Sequence, residues 1–267
     1  MMTRFIKASD QKGYQDIFGE DYEHLEFLSF GKLQLDEGEE FSGQTGDYEH
    51  ALVILTGKAS VGADGEEWTG LGGRSSVFEG QATTVYVPIQ SSFSVKAESD
   101  VKIAVCKVKA ENKFAPFVVG PAQVTVHKRG EKQWNRTVYD ILADNADGKV
   151  DRIVLGETIN DEGQWSGYPP HKHDGEFAPE EPNLEEIYHY QVDPEQGFGV
   201  QHHYTKDGSI DTAYPIRHGD SFAIDVGYHP VGSAGGYRVY YLWFMAGETG
   251  RKLNPYEDPD HKWLHDK

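Results

Sequence analysis

Two histidines stand two residues apart in Tyr168-Pro169-Pro170-His171-Lys172-His173-Asp174. On an extended strand, residues i and i+2 point to the same side, about 6–7 Å apart along the chain, so both imidazoles can grip one metal ion. A carboxylate pair, Glu185-Glu186, opens the next strand-like run, and a third histidine, His229, stands in Gly227-Tyr228-His229-Pro230 beyond a Gly219-Asp220 turn. Three histidines and one carboxylate on successive β elements are a ligand set for a borderline divalent ion, with positions left open to a substrate. Glu185 and Glu186 have opposite strand parity, so only one of them can join the histidines. The bland alternative is that His171 and His173 are loop residues and His229 a hydrogen-bonded turn histidine.

These ligands need strands to hold them, and the rest of the chain supplies strand signals. Of 267 residues 30 are glycine and 12% aromatic, a balance that favours strands and turns. From Phe27 onward short apolar runs recur every ten or so residues: Phe27–Phe30, Lys32–Leu35, Ala51–Leu55, Lys58–Val61, Val85–Pro88, Phe93–Ala97 and Val101–Val108. Gly and Asp turns separate them, among them the hairpin signal Asp64-Gly65. No long amphipathic helix is evident in this half, and the pattern predicts an all-β sandwich or barrel. The second half repeats the plan: Asp161-Glu162-Gly163 matches Asp36-Glu37-Gly38, and Gln164-Trp165-Ser166-Gly167 matches Glu40-Phe41-Ser42-Gly43. This points to a duplicated β domain. The organisation expected is an arm at 1–26, a first β domain at 27–115, a connector at 116–150, a second β domain at 151–250 and a tail at 251–267. Only the second domain has His-x-His, so only it is expected to bind metal, and His50 in the first is expected to be structural.

Charge and cysteine use narrow the class. Forty-four acidic against 25 basic residues give a formal charge of −19, which argues against a nucleic-acid partner and against anionic membranes. The single cysteine, Cys106, lies in an apolar run and is expected to be a buried thiol. The N-terminus lacks the apolar core of a signal peptide, and the longest uncharged apolar stretch, Val239–Gly247, is too short to span a membrane. A cytoplasmic protein with a small-molecule substrate is the expectation.

Two β halves, one bearing His-x-His, Glu and His, resemble the cupin architecture. Several words are more specific: Ser166–Asp174, Leu184–Tyr188, Gly197–Gln201, Gly227–Val231 and Tyr240–Gly247, with Glu49–Lys58 and Arg74–Gly80 in the first half. Together they resemble the 5-deoxy-glucuronate isomerase family of inositol catabolism over most of residues 45–260. The resemblance implies a bicupin, two jelly-roll-like barrels in one chain, that interconverts the aldehyde 5-deoxy-glucuronate and the ketone 5-dehydro-2-deoxy-gluconate by proton transfer through an enediol. It also implies one divalent ion, Zn²⁺ in the first instance with Mn²⁺ and Fe²⁺ open, held by His171, His173, Glu186 and His229. Glu186 is chosen over Glu185 because related isomerases place the ligand directly before an x-Tyr pair. By analogy with those isomerases a homo-oligomer, at least a dimer, is expected.

The remaining roles are less determined by sequence. Glu185, Tyr188, His203 and a metal-bound hydroxide are all candidates for the base. Gln201 is a candidate for a hydrogen bond to a sugar hydroxyl, and Tyr168 is a candidate for substrate binding. Arg217 and Arg238, with Arg136 beside them, are candidates for the substrate carboxylate, which a guanidinium fork matches. Two other readings share these ligands: a metal-dependent cupin dioxygenase, and a non-catalytic module that binds sugar acids.

Overall fold

The computed structural model describes residues 3–248 and 250–266. Among them there is no α-helix, only strands and three short 3₁₀ turns, so no helix is long and apolar enough to cross a membrane. The all-β expectation is met. The strands of the N-terminal part are β1 (Phe5–Ile6), β2 (Gly13–Phe18), β3 (Leu28–Leu35), β4 (Glu40–Gln44), β5 (Tyr48–Thr56), β6 (Lys58–Ala63), β7 (Glu66–Gly72), β8 (Thr83–Val87), β9 (Ser92–Ala97), β10 (Val101–Lys109) and β11 (Phe117–Val119). The rest are β12 (Thr125–Arg129), β13 (Arg136–Leu142), β14 (Val154–Asn160), β15 (Trp165–Ser166), β16 (His171–Lys172), β17 (Glu185–Asp193), β18 (Gly199–Tyr204), β19 (Asp211–Ile216), β20 (Ser221–Ile224), β21 (Val231–Ser233), β22 (Arg238–Ala246) and β23 (Tyr256–Glu257).

The chain divides into two compact units, one of Ser9–Thr125 and Asp140–Leu155, the other of Met1–Ala8, Val126–Tyr139 and Gly156–Lys267. The segment read as an arm, 1–26, supplies β1 to one unit and β2 to the other. The segment read as a connector, 116–150, supplies β11, β12 and β13.

Each unit has a large and a small antiparallel sheet in the same order. In the first the large sheet runs β11-β8-β5-β10-β3-β2 and the small one β4-β9-β6-β7. In the second the large sheet runs β1-β20-β17-β22-β14-β13-β12 and the small one β15-β21-β18-β19. The series β8-β5-β10-β3 thus recurs as β20-β17-β22-β14, and β4-β9-β6-β7 recurs as β15-β21-β18-β19, which is the duplication that the repeated turn words announced. Local chemistry explains the strands. In β9 buried and exposed residues alternate, the period-two signature of a half-buried strand. The β6–β7 hairpin turns at Asp64 (φ 47°) and Gly65 (φ 87°), the two left-handed positions that a tight two-residue turn needs.

The interior of the first unit is aliphatic: Leu33, Leu52, Ile54, Val61, Val85, Val95, Ile103 and Val105 pack into one buried cluster. Each such side chain contributes about 1.5–3 kcal/mol on burial. The interior of the second unit is different. On β17 the inward residues are Glu186, Tyr188 and Tyr190, paired across to Met245, Trp243 and Tyr241 of β22. Both ends of this unit are tied down. At one end β1 pairs with β20, and Arg4 grips Asp225 with Nε at 2.6 Å and Nη2 at 2.8 Å. At the other, β23 pairs with β16, setting His171 opposite Glu257 and Lys172 opposite Tyr256.

Candidate metal centre

His171 sits on the short strand β16, His173 two residues on, Glu186 near the start of β17, and His229 in the turn after β20. One ring nitrogen from each histidine lies within 4.8 Å of the others. The ring centroids are 6.3, 5.1 and 5.0 Å apart for His171–His173, His171–His229 and His173–His229. His173 Nδ1 donates to the Leu184 carbonyl at 2.8 Å, and His229 Nδ1 to the Gly227 carbonyl at 2.9 Å. With those protons committed, both Nε2 atoms present lone pairs to the centre. There Glu186 Oε2 lies 3.2 Å from His173 Nε2 and 3.3 Å from His229 Nε2. The His229 Nε2 atom is buried and makes no hydrogen bond. Three acceptor atoms at such separations, shielded from water, need a proton or a cation between them. The donor set of three imidazoles and one carboxylate fits a divalent ion.

The electrostatics follow the same logic. Burial works against charge on Glu186, but when protons on His173 and His229 rather than an ion face it, they outweigh burial and hold the carboxyl down at about 2. Burial also opposes protonation of His173, yet the Glu186 carboxylate and the Leu184 carbonyl raise its pKa above the ordinary value. His171 lies well below its ordinary value, through burial and then through His229 and His173.

Neighbouring contacts aim the ligands. Lys172 is almost fully buried, with its ammonium among the Asp174, Glu176 and Glu181 carboxylates and over the Phe177 and Tyr256 rings. Asp174 Oδ2 accepts the Gly227 N–H at 2.8 Å, linking the His-x-His segment to the turn that carries His229. Gly227 is in the left-handed region (φ +82°), and a Cβ there would come within 2.6 Å of the Tyr204 carbonyl, so the turn requires glycine.

A cavity of about 100 Å³ opens beside the cluster. Arg129, Arg136, Thr158, Tyr188, Tyr241, Trp243 and Leu253 line it together with His171, His173 and Glu186. Of the three side chains named as base candidates only Tyr188 lines this cavity. Burial pushes its hydroxyl well above the usual value. Glu185 is half-buried on the opposite parity of β17. His203 is fully buried, donates from Nε2 to the Val226 carbonyl at 2.6 Å, and is held by burial at about 4.

Four of the five residues named for substrate contacts lie outside the cavity lining. Gln201 has its amide occupied: Oε1 accepts from Tyr190 at 2.7 Å, and Nε2 donates to the carbonyls of His202 and Pro230. Arg217 donates to the Gly197 carbonyl and lies over the Phe198 ring, and Arg238 pairs with Asp193. The Tyr168 ring packs with Trp134 and Trp165. Arg136, the third arginine considered, does line the cavity. Sequence reading passed over Arg129, which sits in a charged stretch that looks like solvated surface. It also passed over Tyr241 and Trp243, whose alternation along β22 is the signal that places them on one face.

Two antiparallel barrels of duplicated topology, one of them gathering three histidines and a glutamate, define a bicupin with one candidate metal centre. An oxalate decarboxylase from Lactobacillus farciminis shares this fold at a TM-score of 0.68 and 10% identity, covering 98% of this chain and 88% of that one. The chain belongs to the KduI/IolB family, whose model matches residues 2–264. It is 38% identical over 267 residues to a 5-deoxy-glucuronate isomerase of Geobacillus thermodenitrificans, covering 98% of this chain and 96% of the relative. It is 37% identical over 241 residues to one of Bacillus subtilis, covering 90% and 88%. The crystal structure of an IolB-like protein from Salmonella typhimurium superposes with a TM-score of 0.92 at 32% identity and 98% coverage of each chain.

Proposed function

We propose that this chain is an aldose–ketose isomerase that converts 5-deoxy-glucuronate to 5-dehydro-2-deoxy-gluconate. The observation that carries the reading is the convergence of His171, His173, His229 and Glu186 on one point beside an open cavity, in a chain whose curated relatives bear that isomerase name. The reaction moves hydrogen between adjacent carbons with no net redox change, so Zn²⁺ suffices and is the ion we assign. A divalent ion held by these four residues would supply stabilisation of negative charge on the substrate's carbonyl oxygen.

The chain's own residues supply position and proton transfer. The Leu184 and Gly227 carbonyls fix the orientations of His173 and His229. Tyr241 and Trp243 wall the cavity from β22, with the Tyr241 hydroxyl donating to Ser166 Oγ at 2.7 Å and Trp243 Nε1 to Thr158 at 3.0 Å. Tyr188, on the cavity wall two residues after Glu186, keeps its phenol proton because burial raises its pKa. It is the group we assign to donate that proton to the substrate's oxygen, as acid rather than base. A homo-oligomer and a cytoplasmic location belong to the same proposal. Elution as a monomer in size-exclusion chromatography with light scattering would overturn the first.

The test strips the protein with chelator, reloads it with Zn²⁺, Mn²⁺ or Fe²⁺, and follows 5-deoxy-glucuronate by NMR in D₂O under nitrogen. Conversion to the keto acid without oxygen, absent in His171→Ala, is expected. A folded, metal-loaded protein that leaves the substrate unchanged would refute the assignment, and conversion only with iron and oxygen would replace it with an oxygenase.

A further inference from the structure

An anionic substrate must enter a chain of net charge −19, and the cavity beside the histidines is locally the reverse. Its lining has two arginines, Arg129 and Arg136, and one acid, Glu186, which faces His173 and His229. Arg129 ends β12 and Arg136 opens β13, so a single loop, 130–135, sets both guanidinium groups. That loop makes room for one of them: at Gly130 (φ +85°) a Cβ would lie 2.8 Å from Arg136 Nη1 and 2.0 Å from the Trp134 carbonyl.

Arg136 is held but not neutralised. Its Nη1 donates to the main-chain carbonyls of Trp134 and Tyr168, each at 3.2 Å. Among the described residues no carboxylate pairs with either Arg129 or Arg136, and the Nε–Nη2 edge of Arg136 makes no hydrogen bond. A part-buried guanidinium without a counter-ion is costly unless something else supplies the charge. The free Nε–Nη2 edge is the side of the fork that matches the two oxygens of a carboxylate.

We propose that Arg136, with Arg129 beside it, binds the carboxylate of the sugar acid while the aldehyde end meets the histidine cluster. This rests on the isomerase reading and makes Arg136 the residue that selects acids over neutral sugars. Arg217 and Arg238, outside the cavity lining, take no part.

The experiment compares 5-deoxy-glucuronate with its uncharged primary amide on the metal-loaded full chain, for the wild type, Arg136→Gln, Arg136→Lys and Arg129→Gln. Loss of a charge-assisted bidentate contact lowers kcat/KM for the acid by about 100-fold, chiefly through KM. The amide is expected to change by less than about threefold, so Arg136→Gln loses its preference for the acid. Arg136→Lys keeps the charge without the fork and falls between. Arg129→Gln is expected to weaken the acid by about three- to tenfold and to flatten its salt dependence. An acid-to-amide ratio in Arg136→Gln equal to that of the wild type would overturn the proposal. Equilibrium binding of gluconate, a sugar acid with no aldehyde to isomerise, is measured by calorimetry on the same proteins. Gluconate binding that persists unchanged in Arg136→Gln and Arg129→Gln overturns the carboxylate site, whereas gluconate binding that depends on the arginines in a protein without turnover retains the site and refutes the isomerase. If Arg136→Gln fails to fold, Arg136→Lys and Arg129→Gln carry the same comparison.

Discussion

His50 offers a sharp test of how the first unit is built. It lies on β5 with the same parity as the core residues Leu52 and Ile54, is 3% exposed, and meets the edge of the Phe93 ring at 5.6 Å. Neither ring nitrogen has a hydrogen-bond partner. Burial, and to a lesser extent the Lys107 charge, pushes its pKa down to about 3 from 6.5. A histidine with a depressed folded-state pKa stays neutral in the fold while the unfolded chain takes up a proton. Stability is therefore complete above pH 6.5 and falls as the pH drops towards 3, by about 1.4 kcal/mol per unit once the unfolded residue is protonated. Between pH 7 and pH 5 that amounts to about 2 kcal/mol from this one group. His50→Leu removes the titrating ring and two unsatisfied polar atoms. Urea unfolding of the metal-loaded wild type and variant at pH 7, 6 and 5 measures the effect, because every other titrating group, the metal ligands included, is common to both. The variant is expected to gain about 2 kcal/mol on the wild type across this range. Parallel losses in the two proteins would refute the argument that a neutral, unpartnered imidazole is buried here.

Other perturbations probe the centre and its supports. His173→Ala and Glu186→Gln should each leave a folded protein that retains almost no metal by plasma emission analysis, with isomerase kcat lower by about 1,000-fold or more. Truncation after residue 250 removes β23, which pairs with the strand that carries His171; metal affinity measured by competition with a chromophoric chelator should fall about 10- to 100-fold. Lys172→Met strands the buried Glu181 carboxylate, which accepts from Lys172 and from the N–H groups of Asp174 and Phe177; unfolding in urea should show a loss of about 3–5 kcal/mol, partly recovered on adding Glu181→Gln. Arg217→Ala and Arg238→Ala should leave KM for the sugar acid within about threefold of the wild type in the NMR assay, since neither lines the cavity.

The sequence carried the class of fold and the convergence of ligands because both are periodic or local signals. Strand parity alone put His171 and His173 on one side and allowed only one of Glu185 and Glu186 to join them, and the Asp64-Gly65 turn could be read from its dihedral demands. Long-range pairing was not legible. Nothing in Phe5-Ile6 announces a partner in Ser221-Phe222, and nothing in Tyr256-Glu257 announces His171-Lys172. The same limit governed the polar candidates. Gln201 sits in a family-like word, but only the fold shows that Tyr190, His202 and Pro230 occupy its amide. Arg129 reads as surface in a run of charges, and it becomes a cavity residue only because loop 130–135 brings it beside Arg136.

The two halves show what the duplication makes possible. β5 and β17 are both nine residues long, have the same burial profile and occupy the same place in their sheets. Yet β5 turns His50, Leu52 and Ile54 inward, and β17 turns Glu186, Tyr188 and Tyr190 inward. In the first unit the stacked rings of Tyr14 and Phe41, with Phe93 beside them, pack against the aliphatic core, and His50 rests on Phe93 as a neutral group. An apolar interior of this kind stabilises a barrel and leaves little for chemistry to act on. In the second unit the same strand position brings a carboxylate beside three imidazoles and a phenol to the adjoining cavity, an arrangement stable only when protons or a cation satisfy the facing lone pairs. The supports follow from that cost. Lys172 with its three carboxylates, the Asp174 bond to Gly227 and the β23 strand all brace the segments that carry the histidines. A polar interior that cannot stabilise itself by burial has to be held from outside, and the contacts that do so cluster on the unit that has the chemistry.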